Sequence, residues 1–335
     1  MRCKAWRPTS VRFPVSVEAL VPARAVALCA AFCAAAAQAQ PEDALLLMRR
    51  IHDATQKLSY RGTFVYQQGN RSETSRITRF VEAGGNIERL EVLDGVPREI
   101  VRTQNVVRCY LPESRVVKIE RRTADRSFPA LLPERVGALA RHYDISLGET
   151  RRIAGYDCRA VVLSPRDNLR YGYRLYADAK SGMLLKAVTV DQAGERIEQF
   201  TFTQLAIGGV TREMVRASHA AAKWRIEDAE AAPARLEGWS LSAELPGFQK
   251  VMELKRRLGE AGAVGQMVYS DGLAAVSVFI EPLQARREQP GAGVSGSGAL
   301  HVFSRAVANY RVTVVGEAPA ASVQRIANAV EYRPQ

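Results

Sequence analysis

The chain has 335 residues, a formal net charge of +12 and 47% hydrophobic residues. That length gives room for two domains with substantial cores, and charge of this sign bears on partners rather than on fold. Beyond an N-terminal leader no stretch is long and apolar enough to span a membrane, and the export signalled by that leader sets nucleic acid aside as a partner. Arg2, Lys4, Arg7, Arg12 and Arg24 form a basic lead, an apolar run follows from Ala25 to Ala37, and Ala37-Gln38-Ala39 supplies a small-x-small cleavage site. Residues 1–39 are therefore expected to be a signal peptide cleaved after Ala39. The lead is long, so the true translation start stays open. No cysteine follows the site, which argues against a lipoprotein anchor. Cleavage removes five basic residues and one acidic, Glu18, and leaves +8 of the +12.

The exported part opens with a helix. Pro41 suits its first turn, Glu42 and Asp43 suit the positive end of the dipole, and Leu45, Met48, Ile51, Thr55 and Leu58 share one side. Strands follow at Tyr60–Gln68, Ser75–Glu82, Asn86–Leu93, Arg98–Thr103, Val106–Leu111 and Val116–Glu120, separated by Gly, Asn, Asp or Pro breaks. A short helix is expected around Leu132–Ala140. Further strands are expected at Tyr143–Gly148, Cys158–Leu163, Leu169–Tyr176, Leu184–Val190 and Ile197–Leu205. A helix against a long twisted meander gives a cupped sheet whose concavity suits apolar ligands.

Residues Ala217–Arg235 read as a polar connector without a persistent period, with Trp224 expected to pack on one of the domains. The domains are then 40–216 and 236–335, joined by a linker at 217–235. In the second, strands are expected at Val251–Arg256, Gln266–Ser270, Ala274–Ile280, Ala299–Arg305 and Tyr310–Val315, and a helix from Pro319 to Val330. Between two of the strands lies a Gly/Ser/Arg-rich loop, Pro282–Gly298, of the length that is usually functional or mobile. Its Gly291-x-Gly293-x-x-Gly296 matches a dinucleotide fingerprint only in spelling, because no strand precedes it and a strand, not a helix, follows.

Three cysteines leave with the leader. Cys109 and Cys158 remain, an even pair in an oxidising compartment. A bridge between them would close a loop of about 50 residues, worth ~3–4 kcal/mol; two buried free thiols are the alternative reading. His52, His142, His219 and His301 have no partner at metal-ligand spacing, no nucleophile elbow occurs, and paired acids such as Asp167 and Asp178 are expected by chance. No catalytic residue, metal ligand or cofactor is assigned, and the chain reads as a binding protein rather than an enzyme.

The stretch PRDNLRYGYRLYAD (Pro165–Asp178) alternates faces at period two, with Tyr171, Tyr173 and Leu175 on one and Arg170, Arg174 and Tyr176 on the other. Tyr171, Tyr173 and Leu175 are candidate cavity-lining residues. Arg166, Arg170 and Arg174 recur every four residues along one face and are candidate contacts at the rim for an anionic ligand or partner; Arg286 and Arg287 in the long loop are the better candidates for steering. SDGLAAVSVFIE (Ser270–Glu281) opens on a tight turn, Ser270-Asp271-Gly272, in which Gly272 takes positive φ and Asp271 bonds the backbone two residues on. YRVTVVGEAP (Tyr310–Pro319) follows.

These three stretches, in this order, resemble the RseB/MucB family, and the resemblance covers nearly the whole exported chain. It implies an α+β protein with an N-terminal LolA/LolB-like half-open antiparallel β-barrel closed by helices, plus a smaller C-terminal α+β domain. It also implies a periplasmic negative regulator of the sigma-E-type envelope-stress response. Such proteins bind the periplasmic part of a membrane-spanning anti-sigma factor of the RseA or MucA type and shield it from regulated proteolysis. Lipid A, lipopolysaccharide or another acyl-chain ligand releases that hold. A periplasmic lipid or lipoprotein carrier is the alternative, disfavoured by residues 236–335, which a carrier does not need; a hydrolase with an unusual site is a more distant one. Oligomeric state, a homo-oligomer included, is left open.

Overall fold

The computed structural model describes residues 41–83, 85–121, 136–219, 222–229, 231–243, 245–257, 263–283 and 293–334. The leader, the first four residues of the helix expected at Leu132–Ala140, and both Arg286 and Arg287 lie outside the described residues.

The opening helix, α1 (Pro41–Lys57), carries Glu42 and Asp43 in its first turn and Lys57 in its last, matching the helix dipole at both ends. It buries Ala44, Leu47, Met48, Ile51 and Ala54, whereas Leu45 and Leu58 are only partly buried. The stripe is rotated by about one position from the expected one. The run Ala44–Met48 is apolar all round, so sequence spacing does not fix which of its residues faces inward.

Six strands then form a meander: β1 (Tyr60–Gln68), β2 (Arg71–Glu82), β3 (Gly85–Val92), β4 (Glu99–Arg102), β5 (Val106–Leu111) and β6 (Val116–Arg121). A 3-10 turn at Val136–Arg141 precedes a second run, β7 (Tyr143–Ile153), β8 (Tyr156–Pro165), β9 (Gly172–Asp178), β10 (Leu184–Val190) and β11 (Arg196–Ile207). β11 returns to pair with β1, from Tyr60↔Ile207 to Gln68↔Glu198, and so merges both runs into one sheet. With β12 (Arg225–Ala229) added parallel to β6, that sheet has the order β12-β6-β5-β4-β3-β2-β1-β11-β10-β9-β8-β7. Its outermost strands do not pair with each other, so among the described residues the sheet is open. α1 packs on β7, β8 and β10, and its buried side shares one core with residues such as Tyr143, Cys158, Ala160 and Leu185.

A second lobe holds β13 (Ala231–Pro233), β14 (Trp239–Leu241), β15 (Gln249–Arg257), β16 (Ala263–Ser270), β17 (Ala275–Pro282), β18 (Gly293–Ser297), β19 (Leu300–Val307), β20 (Tyr310–Glu317), α2 (Ala320–Ala329) and β21 (Val330–Tyr332). Seven of these strands make a sheet of order β13-β15-β16-β17-β20-β19-β18, and β14 pairs with β21. α2 lies on β19 and β20 and buries Val323, Ile326 and Ala327, the spacing read from sequence. On β17, Val276, Val278 and Ile280 are buried while Ala275, Ser277 and Phe279 are partly buried, as a central strand requires.

Three expectations are corrected. The connector Ala217–Arg235 is not a free spacer: β12 extends the first sheet and β13 the second, and residues 39–335 pack as one compact unit. These edge strands are held by backbone pairing while Ile226 stays 63% exposed, so no side-chain period reveals them. The strand expected at Leu169–Tyr176 begins only at Gly172, because Leu169 and Arg170 belong to a turn in which the Leu169 N–H donates to Asp167 Oδ1 at 3.0 Å. Finally, Cys109 and Cys158 are both free. They lie on β5 and β8, with seven strands between them in the sheet.

Candidate functional site

Some of the sequence-predicted residues, Arg170, Tyr171 and the Ser270-Asp271-Gly272 turn, meet where the two lobes join, and the organising group is Arg170. Its side chain is wholly buried. Nε donates to Asp271 Oδ2 at 3.0 Å, Nη1 to Asp167 and Nη2 to the carbonyl of Pro246, while the guanidinium stacks over the Phe248 ring at 5.4 Å. A buried guanidinium needs this many partners, since an unpaired charge in a poorly solvated site costs several kcal/mol. The turn between β8 and β9 presents it from one side. Loop 245–248 and the hairpin between β16 and β17 receive it from the other.

Asp271 is equally buried and serves two masters. Its Oδ1 accepts the backbone N–H groups of Leu273 (2.9 Å) and Ala274 (2.8 Å), fixing the Ser270-Asp271-Gly272 turn with Gly272 at φ +101, while its Oδ2 faces Arg170 and Tyr143. The turn motif read from sequence is thus also an inter-lobe plug. Burial, then the Asp271 charge, push the Tyr143 hydroxyl far above its usual range and Tyr173 likewise. Burial, then the positive Arg170, hold His142 below its usual value. Gly247 closes the arrangement: at φ +81, a Cβ there would lie 2.6 Å from Arg170 Nη2 and 2.5 Å from His142 Nε2.

Neighbouring contacts extend the junction. Ser322 Oγ on α2 donates to the Leu169 carbonyl at 2.6 Å, and Leu169 itself belongs to the second lobe's core. Ala299 is buried in the first lobe's core and Leu273 packs against it. His301 Nδ1 lies 3.0 Å from the Ala318 carbonyl, which only accepts, so Nδ1 carries the proton; the Tyr171 hydroxyl sits 3.3 Å from the same nitrogen.

The predicted groups therefore separate. Tyr171, Tyr173 and Leu175 lie in the packed core, the first two against the second lobe, and none lines a described cavity. Arg170 is a structural anchor and not a rim residue, because Asp167 and Asp271 consume its charge. Arg166 is exposed at the surface and makes two bonds to Asp144 Oδ1, at 3.0 and 2.8 Å. Arg174 stands exposed on the outer face of β9, with no ion pair among the described residues. Next to it Tyr176 is shielded by Arg151 and Lys186, 5.9 and 5.7 Å from its ring. Sequence reasoning missed Trp239 and Phe248. With Leu241, Leu245, Tyr269 and Ile326, and with Ser240, Gln249 and exposed Lys250, they line a cavity of about 380 Å³ beside the junction whose surface is half polar and half apolar. The signal was Leu245-Pro246-Gly247-Phe248, an aromatic in a turn that strand periodicity ignores.

The family model for the MucB/RseB N-terminal domain matches residues 43–233, and that for the MucB/RseB C-terminal domain matches residues 233–331. The chain belongs to the MucB/RseB family. It is 33% identical over 312 residues to the sigma factor AlgU regulatory protein MucB of Pseudomonas aeruginosa, covering 88% of this chain and 92% of that one. The sigma-E factor regulatory protein RseB of Salmonella typhimurium is 28% identical, covering 90% and 94%. Among solved structures, MucB in complex with MucA(peri) aligns with a TM-score of 0.68 at 30% identity, over 88% of this chain and all of that one. The MucA/MucB complex of Pseudomonas aeruginosa aligns at 0.70 and 29% identity, again over 88% of this chain. The MucB/RseB domain boundary at 233 falls at the end of β13, so the strand that joins the lobes here is also where the family's two domains meet.

Among the described residues of this family member, no three acidic, histidine or cysteine side chains are placed to hold a metal, and no helix is long and apolar enough to cross a membrane. Its chemistry at the junction is that of saturated ion pairs and packed aromatics, which hold the two lobes' surfaces in place.

Proposed function

We propose that this protein is a periplasmic negative regulator of a sigma-E-type envelope-stress response. It binds the periplasmic segment of a membrane-spanning anti-sigma factor and shields that segment from regulated proteolysis. The observation that carries this reading is the alignment, across both lobes at once, with MucB in its complex with MucA(peri). An unrelated binder sharing one lobe would not reproduce the placement of the other.

The architecture supports the same reading. The open twelve-stranded sheet with α1 across one face supports reading the first lobe as a LolA/LolB-like half-open barrel, and the second lobe is locked to it through Arg170 and Asp271. A client that touches both lobes is gripped only while their relative placement holds. A lipid or lipopolysaccharide signal releases it to the extent that the ligand prefers a placement the client does not. The cavity beside Phe248, walled by aromatic and polar groups, offers a seat for a client side chain close to the junction.

The test mixes the exported chain with the periplasmic segment of the same genome's anti-sigma factor, with and without lipopolysaccharide. A stable complex that resists the first protease and dissociates with lipopolysaccharide is expected. Intact acyl-chain binding without any complex would instead make the protein a carrier.

A further inference from the structure

His142 stands between the 3-10 turn at Val136–Arg141 and β7, half-buried, and meets the second lobe at Gly247. Its Nε2 lies 2.5 Å, and Arg170 Nη2 2.6 Å, from the point where a Gly247 side chain would begin. The two nitrogens are therefore at most about 5 Å apart, the sum of those distances, within the range at which like charges oppose each other's protonation. The ring makes no hydrogen bond among the described residues. Only the His142 backbone is engaged: its N–H donates to the Leu139 carbonyl at 2.9 Å, and its carbonyl accepts the Arg166 N–H at 3.0 Å. Every nitrogen of Arg170 already has an acceptor, in Asp271, Asp167 or Pro246. An uncharged ring fits beside that guanidinium, and a charged one does not.

We propose that His142, Gly247 and Arg170 form an acid-sensitive latch between the lobes, in which protonation of the His142 ring sets a second cation against Arg170 and frees loop 245–248 from the first lobe. The charged groups acting on the ring are Arg141 on its own segment, Arg170 and Asp167 in the turn before β9, and Asp271 in the hairpin between β16 and β17. Leu245, Pro246, Gly247 and Phe248 bring no titratable side chain. Burial, then Arg170, oppose the proton; Asp167 and Asp271, each with a smaller effect, favour it, and the balance holds the ring below its usual value. Opening the loop relieves both the burial and the Arg170 charge. Protons therefore bind the opened arrangement more tightly and shift the population toward it as pH falls below the ordinary histidine value of ~6.5.

The other histidines lack this setting. His219 Nε2 lies 4.0 Å from a Glu99 carboxylate oxygen, where a proton adds attraction, His301 Nδ1 already donates to the Ala318 carbonyl, and His52 lies on α1. Loop 245–248 holds Arg170 through the Pro246 carbonyl and the Phe248 ring, so a proton at His142 acts directly on the inter-lobe plug. Control of a client by acid rests on the proposed function, but the latch itself does not.

The experiment follows amide hydrogen exchange of the exported chain at pH ~7.5 and ~5, on either side of the ordinary histidine value, with rates corrected for their intrinsic pH dependence. Relative to β8 and β10, the amides of Gly247, Phe248, Leu273 and Ala274 are expected to exchange about threefold or more faster at the lower pH. His142→Gln removes that difference, His142→Lys, charged at both pH values, exchanges fast at both, and His52→Gln behaves as the parent. In the unaltered protein, NMR titration of the His142 ring gives a midpoint below that of the unfolded chain. A pH difference that survives in His142→Gln, no difference in the parent, or a His142 midpoint at or above the unfolded one would overturn the latch. Calorimetric titration with the client on the same samples is expected to show weaker binding at the lower pH in the parent and not in His142→Gln. A client that binds at neither pH refutes the proposed function and leaves the latch standing; failure of the exchange and ring titrations with the client bound refutes the latch and leaves the function standing.

Discussion

Asp271→Asn isolates the charge of the inter-lobe plug from its shape. An asparagine keeps an oxygen for the backbone N–H groups of Leu273 and Ala274, so the turn survives, but the buried Arg170 then loses its anionic partner at Nε. Removing one member of a buried pair costs ~3–5 kcal/mol when the other is left uncompensated. Arg170 keeps Asp167, whose side chain is 30% exposed, and the Pro246 carbonyl, so the expected loss is smaller, ~2–3 kcal/mol, the worth of one charged hydrogen bond. At about 2–4 °C per kcal/mol for chains of this order, the melting midpoint falls by ~4–12 °C. Hydrogen exchange should localise the damage, with faster exchange at 245–248 and 270–274 and unchanged protection in β8 to β10. A double-mutant cycle with Arg170→Met supplies the pairwise term, expected at ~1–3 kcal/mol. A midpoint shift below one degree with unchanged exchange at the junction would refute the claim that this pair holds the lobes.

Three further outcomes are expected. Gly247→Ala, which thrusts a Cβ at Arg170 and His142, should cost ~1 kcal/mol or more beyond Gly194→Ala, which shares φ +81 but meets nothing within 4 Å; equal urea midpoints would remove the close-approach argument. Both Cys109 and Cys158 should titrate as thiols in denaturant without reductant, and in the native protein Cys158, which burial pushes up to about 12, should react far more slowly than an exposed thiol; zero thiols on unfolding would restore the bridge. His142 binds its proton more weakly folded than unfolded, so its contribution to stability is present above the ordinary histidine range and is lost as pH falls from there through its lowered folded value; His142→Gln should flatten that part of the urea-midpoint profile, and an unchanged profile would argue against it.

Much of the fold was legible because most strands carry their own punctuation. Tyr60–Gln68, Val106–Leu111 and Leu184–Val190 were placed to the residue, each bounded by turn formers. The edge strands β12, β13 and β18 were not, since a strand held at one edge by backbone pairing and exposed along its side chains has no apolar period to read. The site was legible in part. The Ser270-Asp271-Gly272 turn was recognised with its Asp271 backbone bonds, but its second role was hidden, because Arg170 and Asp271 are 101 residues apart and nothing local links them. Arg166, Arg170 and Arg174 looked equivalent by spacing. The turn at 166–170 breaks that equivalence, sending one to the surface, one into the junction and leaving the third on the outer face of β9. Tyr171 and Tyr173, expected to line a cavity, are buried for a related reason. Their apolar face is covered by a second lobe that alternation along one strand cannot foresee.

The central claim is that two interlocked lobes grip one protein client. Its most direct measurement is calorimetric titration of the exported chain with the anti-sigma factor's periplasmic segment, alongside the Asp271→Asn variant. A complex with dissociation constant on the order of micromolar or tighter, weakened in the variant, is the predicted result. A folded protein that shows no heat of binding at concentrations well above that, or a variant with loosened lobes that binds as tightly as the parent, would contradict it.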